Sequence, residues 1–153
     1  IHIRSDVERK RLAGLTALAS SRSATGAGIY TRELNTQTYA HLIQCARHAL
    51  TGGENVTVDA AFLRASERDA FYALAEEAQV RFTILHCVAS NTTLQERIHA
   101  RTLAGNDASE ATIDVLGKQA EYWEPLTGKE SAHAIAVDTA TVKLPELTLA
   151  LSR

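Results

Sequence analysis

Residues 81–88, with the sequence RFTILHCV, decide the fold class, because this apolar run is rich in residues that favour β-structure. Its length and composition predict a buried β-strand. Similar but shorter runs occupy residues 1–3, 55–59 and 134–137, and stretches with helical periodicity lie between the runs. Strands that alternate with helices of ten or more residues are typical of an α/β fold, in which a parallel sheet forms the middle of three layers and helices cover both faces.

Capping residues and helix breakers predict where the helices begin and end. Ser5 and Glu8 fit a capping box, which predicts a helix over residues 7–18. Apolar residues at helical spacing predict a second helix that stops at Gly52 and Gly53. The remaining helices are expected to begin near Ser66, at Asn91 or Thr92, and after Ser109.

Size, charge and hydropathy limit the classes of function. The 153 residues are expected to form a single domain over 1–153. The chain shows neither a signal peptide nor an apolar run near the roughly 18 residues of a membrane span, so we expect a cytoplasmic protein without a membrane partner. The net charge of −2 gives no basis for bulk binding to nucleic acid.

The two cysteines, Cys45 and Cys87, lie in apolar segments. We interpret neither cysteine as a metal ligand, because we recognise no second cysteine or histidine at a spacing typical of a metal site. Free thiols packed in the core are the expected state, which fits a reducing compartment. A zinc site is therefore not expected.

Three of the predicted strands end at or near an aspartate, namely Asp6, Asp59 and Asp138. In parallel sheets, ligands bind beyond the carboxyl ends of the strands. Asp6 and Arg9 lie three residues apart at the start of a helix and point to roughly the same side. The aspartate can accept a proton from an attacking hydroxyl, and the arginine can hold a phosphate or an acidic substrate. The same pattern also fits an acidic helix start and a basic solvent face, so spacing alone leaves both interpretations open.

Further residues suit phosphate chemistry. Asp59 follows an apolar strand and can hold Mg²⁺ or its water shell, although a turn-starting aspartate has the same pattern. Arg97 and Arg101 lie four residues apart on one helix face, which is typical either of a lid, here about residues 97–112, or of a basic surface face. Tyr30 follows a glycine-rich turn and can line the mouth of a pocket.

Four segments, in this order, resemble a known family: IRSDVERKRL at residues 3–12, VTVDAAFL at 56–63, residues 97–101 with DASEA at 107–111, and EPLT at 124–127. Together they resemble the AAA-type P-loop kinase domain that is often fused behind an aminoglycoside phosphotransferase-like domain. That group is related to polynucleotide 5′-hydroxyl kinases, zeta toxins and gluconate kinases. The resemblance covers nearly the whole chain.

The resemblance implies ATP-dependent transfer of a phosphoryl group to a hydroxyl of a small molecule or nucleotide, with ATP and Mg²⁺ as cofactors. Asp6 matches the position of the general base, and Arg9 matches the arginine that binds the acceptor or its phosphate. Asp59 matches the acid that organises Mg²⁺. An aminoglycoside phosphotransferase-like domain, fused or associated, is the implied partner.

The remaining implied roles concern the lid and the nucleotide base. Arg97 and Arg101 match lid arginines that stabilise charge on the transferring phosphoryl group. Asp138 and Thr139 match positions that often lie beside the adenine of the nucleotide in the family.

The sequence departs from the family pattern in two ways. Ala61 stands where the family commonly has threonine or serine, and no GxxxxGK[ST] phosphate-binding loop occurs in the chain. In the family, that loop and the strand before it precede the strand at residues 1–3. The strand that carries the loop lies mid-sheet, between the strands at residues 55–59 and 81–88. We therefore expect a vacancy in the sheet and no autonomous kinase activity from this chain. The alternative function is a non-catalytic nucleotide-binding or interaction module of the same fold.

Overall fold

In the computed structural model, which describes residues 1–24 and 26–143, strands and helices alternate along the chain. The strands are β1 (His2–Arg4), β2 (Thr57–Asp59), β3 (Ile84–Val88) and β4 (Ala134–Asp138). The helices are α1 (Ser5–Leu12), α2 (Arg32–Thr51), α3 (Ala65–Ala78), α4 (Asn91–Ala104), α5 (Ile113–Tyr122) and α6 (Gly128–Ser131), and a 3₁₀ turn spans Gly28–Tyr30. The predicted α/β alternation is confirmed. Within the described residues, no helix is both long and apolar enough to cross a membrane.

The strands form two separate parallel pairs. β1 pairs with β2, with Ile3 opposite Val58, and β3 pairs with β4, with Cys87 opposite Val137. Among the described residues no ladder joins the two pairs, so they do not form the single sheet expected from the sequence. The family resemblance places a further strand between β2 and β3, which belong to different pairs.

The hydrophobic core lies around β1, α2 and α3, and β3 is not the buried strand that its composition predicts. Core residues include Ile3, Leu42 and Phe71. In β3, by contrast, Leu85 is 37% exposed and Val88 is 40% exposed. No described strand pairs with the second edge of β3, so its apolar residues lack the neighbours that would cover them. The prediction that Cys87, also in β3, packs in a core is wrong for the same reason, since this thiol is exposed.

The first helix begins earlier and is shorter than predicted. It spans Ser5–Leu12, and no side chain caps its N-terminus. The predicted capping box is absent because the Glu8 carboxylate binds Arg11 and His41 instead of reaching back to the backbone of Ser5. Gly14 ends the helix with a φ of 73°, a left-handed conformation that glycine adopts at no steric cost. The end of α2 at Gly52 agrees with the prediction.

A buried ion pair between Arg68 and Glu130 joins α3 to α6. The guanidinium binds the carboxylate through Nε and Nη2, and both residues are buried. Its other contacts run to the backbone, since Nη1 donates to the Phe62 carbonyl at 2.9 Å and Nη2 to the Pro125 carbonyl at 3.4 Å. Hydrogen bonding from Arg68 lowers the pKa of Glu130 to about 2.

The same ion pair fixes the backbone that follows β2. Phe62 has a φ of 46°, which costs a residue with a Cβ atom about 1 kcal/mol. Its N–H donates to the Tyr39 hydroxyl at 3.1 Å, and its ring packs edge-on against Tyr39 and Phe71. Because Arg68 donates to the Phe62 carbonyl, hydrogen bonds hold Phe62 at both its N–H and its carbonyl. The segment after Asp59 is therefore rigidly placed.

We predict that Arg68→Ala lowers the free energy of unfolding at neutral pH by about 3 kcal/mol, because it leaves a buried carboxylate without its partner. The matched control is Arg47→Ala, which breaks the solvent-exposed pair between Arg47 and Glu77 and should change stability little. Urea unfolding monitored by circular dichroism measures both variants. Equal effects of the two substitutions would contradict the role of the buried pair.

The pH dependence of the same measurement identifies the group responsible. The pKa of Glu130 is lower in the folded protein, about 2, than its ordinary value of 4.5. Its contribution is therefore fully present above pH 4.5 and is lost as the pH falls towards 2. The stability difference between wild type and Arg68→Ala should shrink over that interval, and a difference independent of pH would exclude Glu130 as its source.

Candidate active site

A cavity of about 400 Å³ lies beyond the carboxyl ends of β1 and β2. It brings together four residues that the sequence singles out, namely Asp6, Arg9, Tyr30 and Asp59. α1 supplies the first two, the 3₁₀ turn supplies Tyr30, and β2 ends at Asp59. The opposite wall comes from residues 109–119, which follow α4. The cavity is thus placed where ligands bind in parallel α/β structures.

Arg9 is buried in the wall of this cavity with part of its hydrogen-bonding capacity unused. Only 7% of its surface is exposed. Nη2 donates to the Asn35 side-chain oxygen at 3.0 Å, and the guanidinium carbon lies 5.5 Å from the centre of the Tyr30 ring. Nε and Nη1 are buried and find no hydrogen-bond partner among residues 1–24 and 26–143. A buried cation with unpaired donors is costly, so this arrangement favours an anionic ligand, which would supply the missing acceptors.

Asp6 lies one turn before Arg9 on the same helix and lines the same cavity. Within the part of the chain that the structure describes, no donor hydrogen-bonds to its carboxylate. It is therefore available to accept a proton from a bound hydroxyl, which is the chemistry predicted from its position.

The Asp59 carboxylate forms an ion pair with Arg4, an arginine that was not singled out from the sequence. Arg4 Nε lies 3.3 Å from Asp59 Oδ2, and Arg4 Nη2 lies 3.0 Å from Asp107 Oδ1. The hydrogen bond to Asp107 is the main cause of the raised pKa of Arg4. Arg4 thus ties the end of β2 to the segment predicted as a lid.

The donors around Asp59 fit a Mg²⁺ ion that is held mainly by phosphate oxygens and water. Asp59 is 56% exposed, and its Oδ1 has no partner among the described residues. Mg²⁺ in phosphoryl-transfer sites commonly takes only one or two carboxylate ligands from the protein. One free carboxylate oxygen on the solvent side of the cavity meets that requirement.

Tyr30 and Glu110 line the cavity, and Glu110 is paired with the buried Lys10 of α1. Burial, together with the negative charge of Glu110, raises the pKa of Tyr30 to about 12, so its hydroxyl stays protonated. Lys10 is 1% exposed, and its Nζ lies 3.1 Å from Glu110 and donates to the Ala17 carbonyl at 3.2 Å. Burial opposes ionisation of Glu110, but hydrogen bonds from Ser21 and the nearby Lys10 hold its pKa below the ordinary value.

The predicted lid arginines and adenine residues, Arg97, Arg101, Asp138 and Thr139, are not among the residues that line this cavity, although the end of the predicted lid, residues 109–112, is. Arg97 binds the hydroxyl and carbonyl of Thr139 at 2.6 and 2.8 Å, and Arg101 Nη2 donates to the Ala111 carbonyl at 2.7 Å. Asp138 uses both carboxylate oxygens within its own turn, one for the N–H of Ala140 and one for the hydroxyl of Thr141. The roles of these residues towards a nucleotide remain predictions.

Four residues that line the cavity or belong to the network of contacts around its predicted residues were not singled out from the sequence: Arg4, Asn35, Asp107 and Glu110. All are common polar residues without a distinctive motif. Asn35 lies 26 positions from Arg9, and Asp107 lies 103 positions from Arg4. Their significance depends on contacts that only the folded chain creates, although DASEA at residues 107–111 already contained two of them.

Comparison with known proteins gives one family. A family model described as "AAA domain" matches residues 1–126. No curated protein and no solved structure matches the chain. The matched residues include both cavity-forming strand ends and the predicted lid.

We predict that inorganic phosphate stabilises the protein through Arg9. At ten times its dissociation constant, phosphate should raise the free energy of unfolding by about 1.4 kcal/mol, which thermal unfolding at constant ionic strength measures. Arg9→Met should abolish this gain and should be no less stable than wild type without phosphate, because it removes a buried unpaired charge. Arg32→Met, which replaces an exposed arginine on α2, is the matched control. Stabilisation that survives in Arg9→Met would contradict this role.

Proposed function

Because the chain belongs to the AAA-domain family of P-loop NTPase-like proteins, which includes kinases and related nucleotide-binding proteins, we propose that it serves ATP-dependent phosphoryl transfer. The acceptor is a hydroxyl of a small molecule or nucleotide. One observation carries this proposal: a buried arginine with unused donors and an aspartate with a free carboxylate share one cavity. The first suits an anionic group, and the second suits a hydroxyl proton.

In this proposal the cavity is the acceptor side of the reaction. An anionic group of the acceptor binds Arg9, where Nε and Nη1 gain the partners that they lack. This contact places the acceptor hydroxyl near Asp6, which takes its proton as the oxygen–phosphorus bond forms. The bond between the transferred phosphorus and the leaving ADP oxygen breaks in the same step. ATP supplies the phosphoryl group, and Mg²⁺ neutralises its charge.

The residues around the cavity also support a role for Asp59 and the lid. Asp59 would hold Mg²⁺ through Oδ1 while Arg4 keeps Oδ2 in place. Residues 97–112 would close over the phosphates, and Arg97 and Arg101 would then exchange their contacts with Thr139 and Ala111 for phosphate oxygens. The contacts of Arg97 with Thr139 are exposed to solvent, so little is lost when they break, whereas the contact of Arg101 with Ala111 is partly buried.

Further parts of the proposal rest on the sequence alone. These are a single domain over residues 1–153, a cytoplasmic location, and an aminoglycoside phosphotransferase-like domain as fused or associated partner. Each is a prediction about the whole protein.

A second candidate function is nucleotide binding or protein interaction without catalysis. Two contacts favour it. Arg4 neutralises the acid expected to bind Mg²⁺, and Asp138 is occupied within its own turn. ATP turnover separates the two functions, since a binding module would bind nucleotide without consuming it.

We predict that the protein, when a segment or partner supplies the phosphate-binding loop that these 153 residues lack, transfers phosphate from ATP to at least one member of a panel of hydroxyl acceptors. In that assay Asp6→Asn should lower kcat about 100- to 10,000-fold. Asn keeps the shape of the side chain but cannot accept the proton. The control is Asp114→Asn, an exposed acid in the first turn of α5 that should leave kcat unchanged. Full activity in Asp6→Asn would remove Asp6 from the mechanism, and nucleotide binding without turnover by wild type would favour the second function.

A further inference from the structure

A cluster of three potential metal ligands lies on the packing face between α1 and α2, outside the residues that line the cavity. It consists of Glu8 on α1 and of His41 and Cys45 on α2. His41 and Cys45 are four residues apart, so they lie on one face of their helix, and Glu8 faces them from the neighbouring helix. One ligand atom from each residue lies within 4.8 Å of the other two.

A zinc site is not expected from the sequence, but the structure brings three potential metal ligands together here. His41 and Cys45 are four residues apart in the sequence. The third ligand, Glu8, lies 33 positions before His41 and comes near it only because α1 packs against α2.

The two distances that involve His41 agree with tetrahedral coordination. Cys45 Sγ lies 3.5 Å from His41 Nε2, and the same nitrogen lies 3.1 Å from Glu8 Oε2. Zinc bonds of 2.3 Å to sulfur and 2.0 Å to nitrogen or oxygen, at tetrahedral angles, give about 3.5 Å between sulfur and nitrogen and about 3.3 Å between nitrogen and oxygen. Both separations are within a few tenths of an ångström of those values.

The carboxylate and the thiol compete for the same ring nitrogen of His41. Nε2 of a neutral imidazole is either a donor or an acceptor, so it cannot donate to the carboxylate and accept from the thiol at the same time. A cation between the three atoms would satisfy the nitrogen lone pair, the carboxylate and the thiolate together.

The surroundings of Glu8 suit a metal ligand. Its side chain is only 8% exposed, and Arg11 Nη1 donates to Oε1 at 2.6 Å and to Oε2 at 2.7 Å. Arg11 can remain on Oε1 while Oε2 coordinates the ion, because ligating carboxylates are commonly hydrogen-bonded by a second residue. Arg11 itself is 66% exposed and free to adjust.

We propose that Glu8, His41 and Cys45 form a zinc site with three protein ligands and one open position. Imidazole and thiolate ligands select Zn²⁺ over Mg²⁺, and three protein ligands leave the fourth tetrahedral position to water or an added ligand. The site clamps α1 to α2. Since α1 also carries Asp6 and Arg9, zinc binding would stiffen the helix that forms the acceptor side of the cavity.

The experiment uses the purified, metal-free protein and does not depend on catalysis. Zn²⁺ is titrated in competition with a chromophoric chelator, and Co²⁺ is added separately as a spectroscopic probe. Wild type should bind one Zn²⁺ per chain, and its Co²⁺ form should show a thiolate-to-cobalt charge-transfer band with the visible bands of four-coordinate cobalt.

Variants identify the ligands. Cys45→Ser and His41→Gln should each weaken Zn²⁺ binding by more than about 100-fold, since loss of a ligand costs more than loss of its supporting contact. Cys87→Ser and His48→Gln are the matched controls, because they remove a free cysteine and an exposed histidine outside the cluster.

Two results would overturn the site. One is a Co²⁺ form of wild type without a thiolate band. The other is Zn²⁺ affinity in Cys45→Ser and His41→Gln equal to that of their controls. Circular dichroism of the metal-free variants checks their folding, and either ligand variant is sufficient if the other fails to fold.

Discussion

Three consecutive charged residues, Glu8, Arg9 and Lys10, are buried in the first helix, and the candidate site depends on how each charge is compensated. Burial of a charge is tolerated only when partners replace the lost water. Successive helical residues point about 100° apart, so the three side chains enter three different environments. Glu8 meets α2, Lys10 meets Glu110, and Arg9 enters the cavity wall with two nitrogens unpaired.

Two of these side chains connect α1 to the rest of the protein through ion pairs. Lys10 ties it to the wall of the cavity that follows α4, and Glu8 ties it to α2. These contacts hold Arg9 in a position where its charge is incompletely neutralised. An anionic ligand is then favoured by preorganisation, since the protein has already met the cost of burying the cation. The buried pair of Arg68 and Glu130 likewise holds the backbone after β2 in position.

Sequence alone predicted the parts of this arrangement that local patterns encode. Asp6 and Asp59 were identified because polar residues at the ends of parallel strands meet at one edge. The burial of β3 was mispredicted, because an apolar run becomes buried only if a neighbouring strand or helix covers it. The partnership of Arg9 with Asn35, and the cluster of Glu8 with residues of α2, were not predictable, because they depend on the packing of one helix on another.

The central claim is that Arg9 recognises an anionic group on a hydroxyl acceptor, and a pair of acceptors that differ only in one phosphate tests it most directly. KM for phosphorylation of each compound would be measured with wild type and with Arg9→Met. The account predicts that wild type has a lower KM for the phosphate-bearing acceptor than for the other acceptor. In Arg9→Met the KM for the phosphate-bearing acceptor should rise, while the KM for the other acceptor should not change. An equal preference in both proteins would contradict it.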